Sequence, residues 1–219
     1  MNNLSDYSRF IDQTILSPTV TDADFQLFLE ESIPYKFASL CVSPHRVSSV
    51  KNRFPDQCIT TVIGFPLGTS TTKVKLYETQ VALDDGADEI DMVINQGEFK
   101  SGNFKPLLKE IDQIKKVCDN RILKIIVETA NLNEKEKIDI CKLILESSSD
   151  YIKTSTGFAS KGAEISDIKL FYSIMSAKKK IKASGGIKSA DSFVKFIEAG
   201  ADRIGTSSGI SILKELKAV

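Results

Sequence analysis

Three charged side chains sit where charge is costly. Asp91 lies within Glu89-Ile90-Asp91-Met92-Val93-Ile94, Lys153 within Tyr151-Ile152-Lys153-Thr154-Ser155, and Lys182 within Lys180-Ile181-Lys182-Ala183-Ser184. Each interrupts an apolar, strand-like run. A charge embedded there costs several kcal/mol unless it is paired or faces a solvated pocket. The chain has 24 lysines, and the ordinary place of a lysine is the wet surface. For these two, a pair of readings remains. One is a buried ion pair between Asp91 and a lysine. The other is amine catalysis: a neighbouring ammonium and partial desolvation both disfavour the protonated lysine, freeing an amine that can attack a carbonyl and form a Schiff base. The other lysine and Asp91 would then carry protons. Chemistry alone does not say which lysine is the nucleophile.

Hydroxyl and glycine clusters follow the same runs. Thr154-Ser155-Thr156-Gly157 comes after one, Ser184-Gly185-Gly186 after the next, and Gly205-Thr206-Ser207-Ser208-Gly209 after a last run at 203–207. Each alone is ordinary turn chemistry. Three in succession suggest backbone N–H groups gathered around a phosphate, with glycines letting the main chain come close. Cys41 and His45 have plainer readings, as a packed small hydrophobe and an exposed helix-start residue.

These residues need a frame. Eight strand-like runs, at 10–16, 37–42, 60–65, 89–94, 123–128, 151–155, 180–184 and 203–207, start 23 to 34 residues apart. That spacing leaves room for one helix and two short loops, the rhythm of βαβ units. The segments 21–33, 104–117 and 190–198 carry apolar residues at steps of three and four, and Thr21 with Asp24 has the form of a capping box. Gly86-Ala87-Asp88-Glu89-Ile90 recurs as Gly200-Ala201-Asp202-Arg203-Ile204, a helix-ending glycine followed by a buried strand. Right-handed crossovers between parallel strands follow. The expected fold class is α/β, a single (β/α)8 TIM barrel over residues 1–219, in preference to an open doubly wound sheet, since no GxGxxG follows the first strand. Strands covered by helices outside and side chains inside are expected to be continuously apolar. A barrel gathers its active site at the C-terminal ends of the strands. Asp12 and Thr14 fall in the first strand, Cys41 in the second, Asp91 in the fourth, Glu128 at the end of the fifth, Lys153 in the sixth and Lys182 in the seventh.

Composition narrows the class. Lys plus Arg and Asp plus Glu both number 29 in 219 residues, the hydrophobic fraction is 42%, and there is one histidine. Such a chain is not disordered, and zero net charge offers no bulk attraction to nucleic acid or an anionic membrane. One histidine does not make a His-rich zinc site. Four cysteines form no CxxC pair. The opening residues do not read as a signal peptide, and no apolar run is long enough to span a membrane. A cytoplasmic protein is expected.

The motifs together resemble the deoxyribose-phosphate aldolase family, class I aldolases on a TIM barrel. The likeness runs nearly end to end, through Asp12-Gln13-Thr14-Ile15-Leu16, Cys41-Val42-Ser43-Pro44, Gly64-Phe65-Pro66-Leu67-Gly68, the Asp91 strand, Val127-Glu128-Thr129, Lys153-Thr154-Ser155-Thr156-Gly157-Phe158, Lys182-Ala183-Ser184-Gly185-Gly186 and Gly205-Thr206-Ser207-Ser208. The resemblance implies that Lys153 forms the Schiff base, that Lys182 perturbs it and assists proton transfer, and that Asp91 works with Lys182 and a water as acid and base. It implies reversible cleavage of 2-deoxy-D-ribose 5-phosphate to D-glyceraldehyde 3-phosphate and acetaldehyde, within deoxyribonucleotide catabolism, with no cofactor and no metal. Asp12, Thr14, Cys41 and Thr156 would bind substrate. Gly157, Gly185, Gly186, Gly205, Ser207 and Ser208 would bind its phosphate. The partner is a small phosphosugar, and a homodimer is a possible assembly, although no interface stripe is identified in the sequence. Two departures stand out. Some members carry a lysine where this chain has Phe158, and some end in a tyrosine where this chain ends Leu216-Lys217-Ala218-Val219. Another phosphosugar barrel enzyme, which would turn over without an imine, and a phosphosugar-binding protein without a reactive lysine are the competing readings.

Overall fold

The computed structural model describes residues 7–175 and 178–218; residues 1–6 and Val219, which belong to the two chain ends considered above, lie outside them. Eight parallel strands close into a barrel in chain order: β1 (Ile11–Ile15), β2 (Ser39–Val42), β3 (Ile59–Ile63), β4 (Glu89–Val93), β5 (Ile122–Ile126), β6 (Tyr151–Lys153), β7 (Lys180–Ser184) and β8 (Arg203–Thr206), with β8 pairing back onto β1. Helices return the chain outside: α1 (Asp22–Ser32), α2 (Val47–Arg53), α3 (Thr72–Asp84), α4 (Gln96–Lys100), α5 (Phe104–Cys118), α6 (Glu134–Glu146), α7 (Ile165–Met175), α8 (Ala190–Glu198) and α9 (Gly209–Ala218). The (β/α)8 expectation is met.

Local chemistry sets the boundaries. Thr21 accepts from the Asp24 N–H while Asp24 accepts from the Thr21 N–H, and Asn133 with Glu136 does the same for α6. Such a cap contributes about 1 kcal/mol. The repeated Gly-Ala-Asp does two jobs. Gly86 and Gly200 take positive φ of 103° and 110°, ending α3 and α8. The aspartate then accepts the N–H that begins the preceding strand: Asp88 from Ile59, Asp202 from Ile181, and, in the version without glycine, Asp150 from Leu123. β4, β6 and β8 thus each staple the start of the odd strand before them.

The expectation of continuously apolar strands fails, and the failure shapes the site. The strands alternate. Ile11, Leu40, Ile59, Ile90, Leu123, Ile152, Ile181 and Ile204 join the apolar core, which lies between the sheet and the helices and includes Phe25, Val50, Ile111, Ile144, Phe171 and Phe193. The intervening residues point inward, and many are polar: Asp12, Ser39, Thr60, Glu89, Asp91, Lys124, Lys153 and Lys182 are all buried. The lumen is a network of ion pairs where the helices' side of the wall is greasy. Two boundaries also shift. β6 stops at Lys153, and β5 stops at Ile126, leaving Glu128 beyond the strand in a left-handed conformation at φ 53°.

Candidate active site

Register brings the lysines together. Lys153 of β6 lies beside Lys182 of β7, and Asp91 of β4 beside Lys124 of β5. Across the lumen, Asp91 Oδ2 accepts from Lys153 Nζ at 2.8 Å and from Lys182 Nζ at 2.7 Å. Its Oδ1 accepts from Lys124 Nζ at 2.9 Å. Lys182 reaches a second carboxylate, Asp12, which also receives Ser39 Oγ and the Arg203 guanidinium. Below them Glu89 pairs with Lys124 and with Arg203, and accepts from Thr60 Oγ1.

Four cations, Lys124, Lys153, Lys182 and Arg203, therefore meet three carboxylates, Asp12, Glu89 and Asp91. The cluster is neutral when one cation gives up its proton. Burial penalises any surplus charge, and the environments select the one that yields. Burial pulls Lys153 below the ordinary lysine range; Asp91 opposes this, and Lys182 adds to it. Lys182 feels the same burial, but Asp12 and Asp91 outweigh it and hold it above that range. For Lys124, Asp91, Glu89 and Asp12 likewise overcome burial. Burial would push Asp91 up, yet the three lysines hold it well below the usual carboxylate range. Burial also raises the Cys41 thiol, keeping it protonated.

Access separates the lysines again. A cavity of about 390 Å³ opens over the C-terminal ends of β1 and β6–β8, and of the three lysines only Lys153 is on its wall. Thr14, Thr156, Gly157, Gly185, Gly186, Gly205 and Ser207 join it there, as do Phe158 and Lys188. Thr156 is fixed by Glu128, whose Oε2 accepts from both its N–H and its hydroxyl, while Thr156 Oγ1 accepts from the Phe158 N–H. Gly185 has φ 89°, and a Cβ there would stand 2.9 Å from Gly162 Cα, so the loop after β6 can close over it only because both are glycine. At Gly205 a Cβ would stand 3.1 Å from Lys182 Cε; the missing side chain makes room for that lysine.

Other expected residues are placed differently. Asp12 and Cys41 are fully buried and lie off the cavity wall, because their inward strand positions are deeper; Asp12 acts on Lys182 from beneath. Ser208 immediately precedes α9, its carbonyl accepting from the Ile212 N–H, and is one residue past the wall. The sequence reading missed Lys124, Glu89 and Arg203, which the alternation of the closed barrel turns inward, and Lys188, which follows Gly185-Gly186 by two residues.

A family model described as DeoC/LacD family aldolase matches residues 9–216. The chain belongs to this aldolase family. A deoxyribose-phosphate aldolase of Ureaplasma parvum serovar 3 is 49% identical over 212 residues, covering 96% of this chain and 99% of its own. One from Caldicellulosiruptor saccharolyticus is 44% identical, covering 95% and 97%. Among solved structures, the deoxyribose phosphate aldolase of Aeropyrum pernix, described as a unique tetramer, is 30% identical with a TM-score of 0.91, covering 100% of this chain and 94% of its own. The aldolase fold accordingly spans the whole of the buried cluster described above.

Proposed function

We propose that this DeoC/LacD aldolase cleaves 2-deoxy-D-ribose 5-phosphate reversibly to D-glyceraldehyde 3-phosphate and acetaldehyde through a Schiff base on Lys153, as one domain over residues 1–219, in cytoplasmic deoxyribonucleotide breakdown. The observation that carries the reading is the asymmetry between the lysines. Lys153 has one carboxylate partner, a lowered pKa and access to the cavity; Lys182 has two partners, a raised pKa and no exposure.

In this reading, the neutral Lys153 amine adds to C1 of the open-chain sugar, and loss of water gives the iminium. A base takes the proton of the C3 hydroxyl, the C2–C3 bond breaks, and its electron pair runs to the iminium nitrogen. D-glyceraldehyde 3-phosphate leaves. The remaining enamine takes a proton at C2, and water hydrolyses the imine, releasing acetaldehyde and restoring Lys153. Lys182 and Asp91, joined by a 2.7 Å hydrogen bond, are the proton carriers, with a water completing the path. Asp12 keeps Lys182 charged. Thr14, Thr156 and the buried Cys41 shape the sugar end. Gly157, Gly185, Gly186, Gly205, Ser207 and Ser208 receive the phosphate, and Lys188 supplies a cation at the rim where Phe158 supplies none. The chain also pairs with a second copy of itself.

The test is turnover. Deoxyribose 5-phosphate should yield both aldehydes in equal amounts, unaffected by EDTA. Absence of cleavage, or loss of activity on chelation, would overturn the reading.

A further inference from the structure

One buried amide stands on the apolar side of the barrel wall. Along β1, Asp12 reaches into the lumen and Thr14 onto the cavity wall. Ile11 and Ile15 pack in the apolar layer beneath the helices. Gln13, between them, shares their side of the strand and is 3% exposed. An amide buried among apolar side chains costs free energy unless its oxygen and its N–H groups find partners. Both ends find them in the last loop of the barrel. Gln13 Oε1 accepts from the Gly209 N–H at 3.0 Å, and Nε2 donates to the Ser207 carbonyl at 3.4 Å. The backbone donor on one side and the backbone acceptor on the other fix which end of the amide is the oxygen.

The two bonds bracket Ser208, so Gln13 grips the turn between the end of β8 at Thr206 and the start of α9 at Gly209. The grip needs a glycine. A Cβ at Gly209 would stand 2.5 Å from Gln13 Oε1 and 3.0 Å from both Ile11 Cγ2 and Phe37 Cε1. A hydroxyl holds the same turn at a second point. Thr206 Oγ1 accepts from the Ser208 N–H and donates to the Ile187 carbonyl, which ties the turn to the loop that carries Lys188. Ser207 is exposed on the cavity wall, while Gln13 lies off it. Gln13 therefore touches the backbone of the turn and not the space a ligand would fill. A turn held in its binding shape needs no ordering when an anion arrives, whereas a loose one loses affinity to that ordering.

We infer that Gln13 is a positioning residue: it holds the Ser207-Ser208 turn in the shape that receives a phosphate, and so favours phosphorylated sugars over unphosphorylated ones. The inference rests on the phosphate site proposed above and adds what keeps it in place. Steady-state cleavage of 2-deoxyribose 5-phosphate and of 2-deoxyribose tests it. Gln13→Met keeps the length and loses both hydrogen bonds. It should raise KM for the phosphorylated sugar about tenfold with kcat within about twofold, and weaken competitive inhibition by inorganic phosphate by the same factor. Its kcat/KM on 2-deoxyribose and its rate of borohydride-trapped acetaldehyde adduct should match the wild type. Gln13→Asn, an uncharged amide one carbon shorter, should raise the same KM by about threefold, and decides the question if the methionine variant does not fold. Equal losses on both sugars, or a loss on neither, overturn the inference and leave the phosphate site standing. A wild type that cleaves neither sugar, or both with equal efficiency, overturns the phosphate site itself and the inference with it.

Discussion

Replacing Lys182 by methionine isolates what sets the reactivity of Lys153. The two ammonium groups bind the same oxygen of Asp91, at 2.7 and 2.8 Å, so they are no more than about 5.5 Å apart. At an effective dielectric constant of about 20, like charges at that separation repel by roughly 3 kcal/mol. That corresponds to about two pH units in the Lys153 pKa. Removing Lys182 lifts this repulsion and leaves Asp91 Oδ2 to Lys153 alone, and both changes favour the ammonium. The Lys153 pKa therefore rises. Imine formation needs the neutral amine, so its rate increases as pH rises through that pKa. The assay is the rate of borohydride-trapped adduct with acetaldehyde as a function of pH. The acid limb in Lys182→Met should move up by about two pH units, and the methionine, shorter in reach and uncharged, leaves Asp12 still paired with Arg203. An unmoved limb, or one displaced toward acid, would refute the claim that Lys182 holds Lys153 in its reactive form.

Other outcomes follow from particular contacts. Gly205→Ala places a methyl 3.1 Å from Lys182 Cε and 3.0 Å from Ser184 Cβ, and should cut kcat about tenfold with little change in KM, measured by steady-state kinetics. Lys75→Ala strips the partner from the buried Glu110, 2.7 Å away. It should cost about 3–5 kcal/mol and lower Tm by about 10 °C by calorimetry. Burial works against the charged forms of Asp12 and Asp91, but the surrounding cations keep both below the usual carboxylate range. Their stabilisation is present above the unfolded pKa of about 3.9 and is lost as pH falls through the lower folded values. Tm should therefore drop steadily below about pH 5.

Much of the barrel was legible because its signals are local. Strand onsets, the capping box of α1 and the helix-ending glycines at 86 and 200 each depend on a few neighbouring residues. Asp91, Lys153 and Lys182 stood out because each breaks an apolar run. Lys124 has the same property, but it lies two residues into a strand whose inward face becomes visible only when the pairing with Glu89–Val93 is known. Glu89 and Arg203 lie at strand starts, where a charge looks solvated. Lys75 hides in a helix, where no sequence pattern separates a buried lysine from a wet one. The choice between Lys153 and Lys182 turns on how many carboxylates each touches, a count that only the closed barrel supplies.

The central claim is that Lys153 is the amine that attacks. Incubation with deoxyribose 5-phosphate or acetaldehyde, reduction with borohydride and peptide mapping by mass spectrometry test it directly. A single reduced adduct on Lys153, absent from a folded Lys153→Ala variant that no longer cleaves the sugar, is the expected result. An adduct on Lys182 or Lys124, or none on any lysine of the barrel, would contradict the account.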